Sequence, residues 1–410
     1  MHSHLLRAVA LTTAWLPAFA LATPLTLGQA LDQAVQHSES TRSARAGALS
    51  AAESAHAAGQ LPDPTLQAGI DNLPVTGASA FKTSSDSMTM KRIGISQEWL
   101  SSRKRAARQA AADAESARDD AQVQTAMADT RLRTALAYVD AFYAKEALKL
   151  TSLMEHHAHE ESEASQARVS SDTGSSQDVL ALASARGMAE DDSDEVRQQQ
   201  GEAVVALQRW VGNPVDELAP PVVLPPPTEA EFVSRLPSLV TMRRDVEVAK
   251  RAAAMTASER SPNWTWQVSY GQRTGYSDMV SVGVSIPLQV APAQRQDRAT
   301  ASKLALVEKA EADLAEATRA ASAEYEALLG DVQRLQQRIA RYRTSVVVPA
   351  RQRIDAATAG YASNQASLVT LFEARHMEVD AERKLLALQR DLAKAQVQLA
   401  FKPLMNGGDQ

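Results

Sequence analysis

Between Ser101 and Val169 the chain contains neither proline nor glycine. Nothing in this stretch breaks a helix, and roughly 70 residues at 1.5 Å each would span on the order of 100 Å. A helical pattern far beyond about 25 residues points to a coiled coil or helical repeat, not to a globular core. Its apolar positions are mostly alanine, with Leu132, Leu136, Val139, Phe142, Leu148 and Leu150 added. Small residues let helices approach closely. A second long segment, from Gln294 to about Thr358, is interrupted only at Pro349.

Each long segment follows a pair of short alternating stretches. Leu66, Ala68 and Ile70 alternate with Gln67, Gly69 and Asp71, and Ile93 and Ile95 with Gly94 and Ser96. Trp264, Trp266, Val268 and Tyr270 then alternate with Thr265, Gln267 and Ser269, and Val280, Val282, Val284 and Ile286 with Ser281, Gly283 and Ser285. Period-two alternation gives a strand one apolar and one polar face. Strands are expected at about 64–73, 90–99, 263–272 and 279–288.

The whole pattern occurs twice. Pro62, Thr65 and Gln67 match Pro262, Thr265 and Gln267 at an offset of 200, and Asp172 and Ser175 match Asn364 and Ser367 at an offset of 192. Such self-similarity marks a duplicated unit. The expected divisions are a signal peptide (1–22), a first repeat (23–212), a linker (213–230), a second repeat (231–401) and a tail (402–410). Each repeat reads as helix, hairpin, long helix, helix. Single helices are expected over Leu27–Gly59, about Asp178–Val211, Leu239–Arg260 and Leu368–Phe401. The linker carries Pro214, Pro220, Pro221, Pro225, Pro226 and Pro227 and reads as an extended, polyproline-like strap.

His2, His4 and Arg7, the apolar run Ala8–Phe19 and the small-residue site Ala20-Leu21-Ala22 form a secretory signal pattern. No other run of about 18 apolar residues would make a membrane helix. Cysteine is absent, which excludes disulfides, thiolate metal sites, cysteine nucleophiles and an N-terminal lipid on cysteine. A net charge of −6 without a basic stripe argues against nucleic acid as a partner. No G-x-S-x-G, P-loop or Rossmann glycine pattern is present, so nothing supports an enzyme, and no cofactor is implied.

Two readings of the hairpins follow. Each could pack on a helix inside a secreted coiled-coil structural or adaptor protein. Alternatively, the strands face lipid. In lipid every backbone polar group must pair, so strands must close into a barrel, and the smallest barrels have eight. One chain supplies four; three chains would supply twelve.

In the order of its elements, its duplication and several local motifs the chain resembles the TolC-type outer-membrane efflux factors. The motifs are Gly59-Gln60-Leu61-Pro62-Asp63-Pro64, Arg92-Ile93-Gly94-Ile95-Ser96-Gln97-Glu98, and Val348-Pro349-Ala350 with Tyr361. Leu61–Pro74 and Met88–Arg92 look most like the members associated with heavy-metal pumps of the resistance-nodulation-division type. The resemblance implies a mainly α fold with a small β part: a homotrimer whose twelve-stranded membrane barrel continues into a periplasmic α-helical barrel. It implies a passive exit duct in the outer membrane of a Gram-negative bacterium. Its partners would be outer-membrane lipid, a periplasmic adaptor and an inner-membrane pump of that type, and its cargo heavy-metal cations.

The resemblance also puts gating and docking at the helical tips. Aperture positions correspond to Asp178, Tyr361, Thr370 and Glu373, and adaptor-docking turns to Asp172, Gly174, Ser175, Asn364 and Ser367. A basic partner expected five residues after Tyr361 is replaced by Ala366, and Thr370 replaces one of two acids. The gate is therefore expected to rely less on ion pairs, and three Glu373 carboxylates would ring the aperture, where cations concentrate. Asn364 and Asp172 tolerate the left-handed conformation, and Ser175 and Ser367 are suited to capping.

Met154, His156, His157, His159 and Glu160 form a second candidate group. Imidazoles and a carboxylate within one or two turns suit Zn, Cu or Ni, and Met154 adds a soft ligand. A solvated polar helix face fits the same residues. The acidic run Glu190–Glu195 reads either as a solvated face or as a cation-friendly lining.

Overall fold

The computed structural model describes residues 24–171, 174–222 and 225–403. The signal-peptide pattern, Asp172 and most of the tail lie outside them. In chain order the elements are α1 (Leu27–His37), α2 (Glu39–Ala58), β1 (Thr65–Asp71), β2 (Met90–Trp99), α3 (Ser102–Ser170), α4 (Ser176–Val211) and α5 (Glu229–Arg235). The second half follows with α6 (Pro237–Ser258), β3 (Trp264–Gln272), β4 (Met279–Ser285), α7 (Gln296–Tyr342), α8 (Val348–Ala362) and α9 (Leu368–Phe401).

The long helix exists as expected: α3 has 69 residues, opened by Ser101, whose hydroxyl accepts from the Lys104 amide. Buried positions recur every seven residues: Ala114, Ala121, Ala128 and Ala135 on α3, Leu182, Ala189 and Val196 on α4, and Ala374, Ala381, Leu388 and Ala395 on α9. A strict seven-residue repeat keeps its seam against a partner only if the helices supercoil left-handedly.

Two expectations about helices need correction. The predicted helix over Leu27–Gly59 is two helices, broken at Ser38. That residue is extended, and its hydroxyl accepts from Thr41 N and meets Thr130 Oγ1 at 3.0 Å. Capping and a tertiary partner outweigh local continuity there. Pro349 does not break the second long helix. Five residues, Arg343–Val347, form a π-turn, and the Val348 amide bonds Arg343 O, so the chain stays helical past the missing proline N–H. The linker has no helix among its described residues before Glu229, and it is anchored. Leu25 N donates to Glu217 O and Ala219 N to Leu25 O, and the Tyr138 hydroxyl lies 2.7 and 2.6 Å from the carbonyls of Leu25 and Ala219. Tyr138 is wholly buried among Leu27, Leu31, Leu207, Val211 and Val397, which pins both chain entries at mid-height.

The four strands make one antiparallel meander, β1-β2-β3-β4. Register puts Leu66 opposite Ile95, Ile95 opposite Val268, and Val268 opposite Val282. Opposed residues share a face. One face therefore carries Leu66, Ala68, Ile70, Ile93, Ile95, Trp99, Trp264, Trp266, Val268, Tyr270, Val280, Val282 and Val284, with Lys91, Gln97 and Gln272 toward its ends. The other carries Gln67, Gly94, Ser96, Gln267, Ser269, Ser281 and Gly283. The apolar face is uncovered: Leu66 is 68% exposed, Val280 69% and Val282 74%.

The helices repeat this order as a wall. Near the sheet, α2 packs on α3, α3 on α6, and α6 on α7. Farther away the row is α4, α3, α9 and then α7 with α8. Below the sheet, Lys104 is buried and its ammonium donates to Glu259 Oε2 at 2.8 Å and Asn263 Oδ1 at 2.7 Å; Asn263 Nδ2 donates to Glu98 Oε1. This network joins the two repeats where strands become helices.

Candidate functional site

The far ends of α3–α4 and α8–α9 form the tip. Gly174 follows α3, and a Cβ there would stand 2.8 Å from Val169 N and 2.9 Å from Arg168 C, so the turn closes only on a residue without a side chain. Ser175 accepts from Gln177 N and opens α4. In the second turn Asn364 has φ 58°, the left-handed region, and Ser367 accepts from Thr370 N. Both serines are caps; Gly174, Ser175 and Asn364 are exposed, and Ser367 is half-buried.

The four residues expected at an aperture do not converge on one another within a single chain. Thr370 is tied to Ser367, its Oγ1 3.1 Å from Ser367 Oγ, and Glu373 is exposed. Asp178 lies in the first turn of α4, half-buried. Tyr361, however, has a basic partner that no local spacing suggested. Arg168, from the last turn of α3, donates through Nη1 to the Tyr361 hydroxyl at 3.3 Å and stands 5.6 Å from its ring centroid. The basic partner expected at position 366 is found instead in the other repeat. Arg168 and Tyr361 also bring the two turns to one level.

One helical turn or two above, Glu161 of α3 meets Arg375 of α9, Nη1 to Oε1, at 2.6 Å. Glu161 is 4% exposed. Burial pushes its carboxyl up to about 7, against the attraction of Arg375 and with the help of Glu160. Farther along the same seam Lys394 binds Asp140 at 2.8 Å, and beside it Arg383 of α9 approaches Asp192 of α4 at 3.8 Å. Sequence reasoning missed Glu161, Arg375 and the pairing of Arg168 because the partners lie 193 and 214 residues apart. One signal was present: Glu161 falls seven residues after Met154 on the buried stripe of α3, where an acid is out of place.

The histidine group is dispersed. Met154 is buried in an apolar cluster with Leu182 and Phe372. His156 and His157 face Glu160, while His159 faces Glu163, at 3.2–3.5 Å. Among the described residues no three His, Cys, Asp or Glu side chains stand in a metal-holding arrangement. No described helix is long and apolar enough to cross a membrane.

A four-stranded apolar-faced sheet on a four-column helical wall defines the class: the fold is that of the TolC-like outer-membrane channels. Several solved structures share it. The outer-membrane channel OprN superposes with a TM-score of 0.77 at 16% identity over 92% of this chain and 89% of that one. The outer-membrane protein VceC of Vibrio cholerae gives 0.75 at 18%, over 92% and 96%. The Campylobacter jejuni CmeC outer-membrane channel gives 0.78 at 12%, over 94% and 87%. No family profile and no curated protein matches the chain in sequence.

Proposed function

We propose that this protein is the outer-membrane exit duct of a tripartite efflux system, acting as a homotrimer and conducting passively, without catalysis. The observation that carries this reading is the sheet. Its apolar face is exposed across all four strands, and its ten-residue β2, tilted by about 45°, covers about 24 Å, the height of an outer-membrane apolar band. Strands β1 and β4 are free edges of opposite direction, so β4 of one copy continues the antiparallel order into β1 of the next. Three copies close a twelve-stranded barrel with its polar face, Gln67, Ser96, Ser269 and Ser281, toward the pore. Trp99 and Trp264, 6.1 Å apart at the helix end of the sheet, suit a membrane interface.

On this reading the exposed turns at Ser175 and Asn364 face a periplasmic adaptor, beyond which lies an inner-membrane resistance-nodulation-division pump. The cargo is heavy-metal cations. This rests on the resemblance at Leu61–Pro74 and Met88–Arg92 and on an exposed Glu373 in each chain near the tip. The test is expression with membrane fractionation. A detergent-stable trimer in the outer-membrane fraction, conducting in planar bilayers, is expected; a soluble monomer overturns the reading. Loss of the gene should raise sensitivity to divalent or monovalent soft metals. Unchanged metal tolerance with raised sensitivity to organic compounds would replace metals as the cargo.

A further inference from the structure

The polar face of the sheet carries two residues that break its pattern. Register pairs Asp71 with Met90, Arg92 with Gly271, and Gly271 with Met279, so all five share the face of Gln67, Ser96, Ser269 and Ser281. Elsewhere on the strands this face is Gly, Ser, Thr, Gln or a charged residue. The chain enters β1 from α2 at Thr65 and leaves β2 for α3 at Trp99, so Met90 and Met279 stand at the far end, away from the helices.

Gly271 brings the two thioethers together. It is buried because Met90 lies across it. A Cβ at Gly271 would meet Met90 Sδ and stand 2.7 Å from Met90 Cγ, so Met90 fills the room of a missing side chain on β3. Met90 belongs to β2 and Met279 to β4, the two strands that flank β3. Neighbouring strands lie about 4.8 Å apart. With one sulfur already over β3, Met279, directly opposite Gly271, needs only the reach of its own flexible side chain to set a second sulfur beside it. Met279 is 48% exposed and has room to turn.

The neighbouring cations are directed elsewhere. Arg92 Nε reaches back to Asp71 Oδ2 on β1 at 3.2 Å. Arg273 donates to Ser277 O and stands over the Tyr276 ring, in the turn between β3 and β4. The place over Gly271 is left to soft, uncharged sulfur.

Thioethers select soft metal ions. We infer that Met90 and Met279 bind a soft monovalent cation, Cu(I) or Ag(I), between their two sulfurs at the outer mouth of the pore. Two neutral ligands hold an ion loosely, which suits a duct, where an ion must leave as readily as it enters. This inference rests on the heavy-metal reading above and narrows it to soft monovalent ions.

The test uses the purified trimer in chloride-free buffer, with Ag(I) as the probe because it needs no reductant. Peroxide converts exposed methionine to its sulfoxide, and a metal-bound sulfur resists the reaction. By mass spectrometry, Ag(I) should slow oxidation of Met90 and Met279 about threefold relative to Met88, which is exposed in the adjoining loop. Zn(II) at the same concentration should protect neither. Met279→Leu, which keeps size and apolarity, should abolish the protection of Met90, and Met90→Leu that of Met279. Oxidation of both residues that is unchanged by Ag(I) overturns the site, in the wild-type protein alone and whatever the variants do. Protection of either methionine that survives loss of the other overturns the shared ion, as does equal protection by Zn(II). The site and the cargo fail separately. Unprotected methionines in a duct whose loss raises silver sensitivity overturn the site alone. Mutual protection in a duct whose loss leaves metal tolerance unchanged upholds the site and overturns metals as the cargo.

Discussion

Glu161 Oε1 lies 2.6 Å from Arg375 Nη1, while its Oε2 is buried without a hydrogen-bond partner. The pair links α3 of the first repeat to α9 of the second, near the tip, and is only half satisfied. Its carboxyl, raised from 4.5 to about 7, holds a proton in the folded protein that the unfolded chain has released. The stability from this site is present below about pH 4.5 and lost as the pH rises through about 7, an effect on the order of 3 kcal/mol. Thermal unfolding of the purified protein at pH 5 and pH 8 should show this decline, and Glu161→Gln should flatten it. An equal decline in the variant would place the titration elsewhere.

Arg168 and Tyr361 tie the two turns of the tip together. Tyr361→Phe removes the hydrogen bond but keeps the ring under the guanidinium, at a cost of roughly 1 kcal/mol. Arg168→Ala removes both. If the link holds the aperture narrow, single-channel conductance should rise modestly in the first variant and more in the second. Equal conductance in all three proteins would show that the tip is held by other contacts.

The two faces of the sheet should respond oppositely to charge. Val282→Arg puts a guanidinium on the lipid side, at about 2–4 kcal/mol near the bilayer midplane. Ser281→Arg, one residue away, points to the pore. The first should lower the urea midpoint of the folded protein in lipid vesicles and the yield in the outer membrane; the second should leave both nearly unchanged. Matching losses would mean that both faces are packed against protein.

Beneath the barrel, Glu259→Gln should leave the buried Lys104 ammonium without its carboxylate, at about 3 kcal/mol. Lys104→Met added to it should recover part of the loss, because the unpaired charge is then gone. Denaturant midpoints of the two singles and the double give the coupling directly. Additive losses would mean that the pair contributes nothing specific.

Much of the architecture is written in local pattern. The proline-free run from Ser101, the alternation in Trp264–Tyr270 and the repeated Pro-x-x-Thr-x-Gln each depend on neighbours within a few residues, so they are legible without the fold. Asn364 and Ser367 are legible for the same reason: a left-handed turn and a cap are local demands. The break at Ser38 was not, because its decisive partner, Thr130, lies 92 residues away. Nor were the tip contacts, since the cation for Tyr361 comes from Arg168 in the other repeat. The histidine group shows the converse error. Helical spacing brought the five residues within one or two turns, but the helix turns Met154 inward and His156 and His159 outward.

By itself, the sequence determined that the chain is a duplicated set of over-long helices bearing four short amphipathic strands. Periodicity sets which face of each element is apolar, and cysteine and catalytic motifs are absent. Only the tertiary structure decided how the repeats are joined. It put β2 beside β3 and aligned all four apolar faces on one side. The reason is physical. Hydrophobic periodicity fixes what an element must hide or expose, but pairing across hundreds of residues is decided by register and packing, which no local window contains.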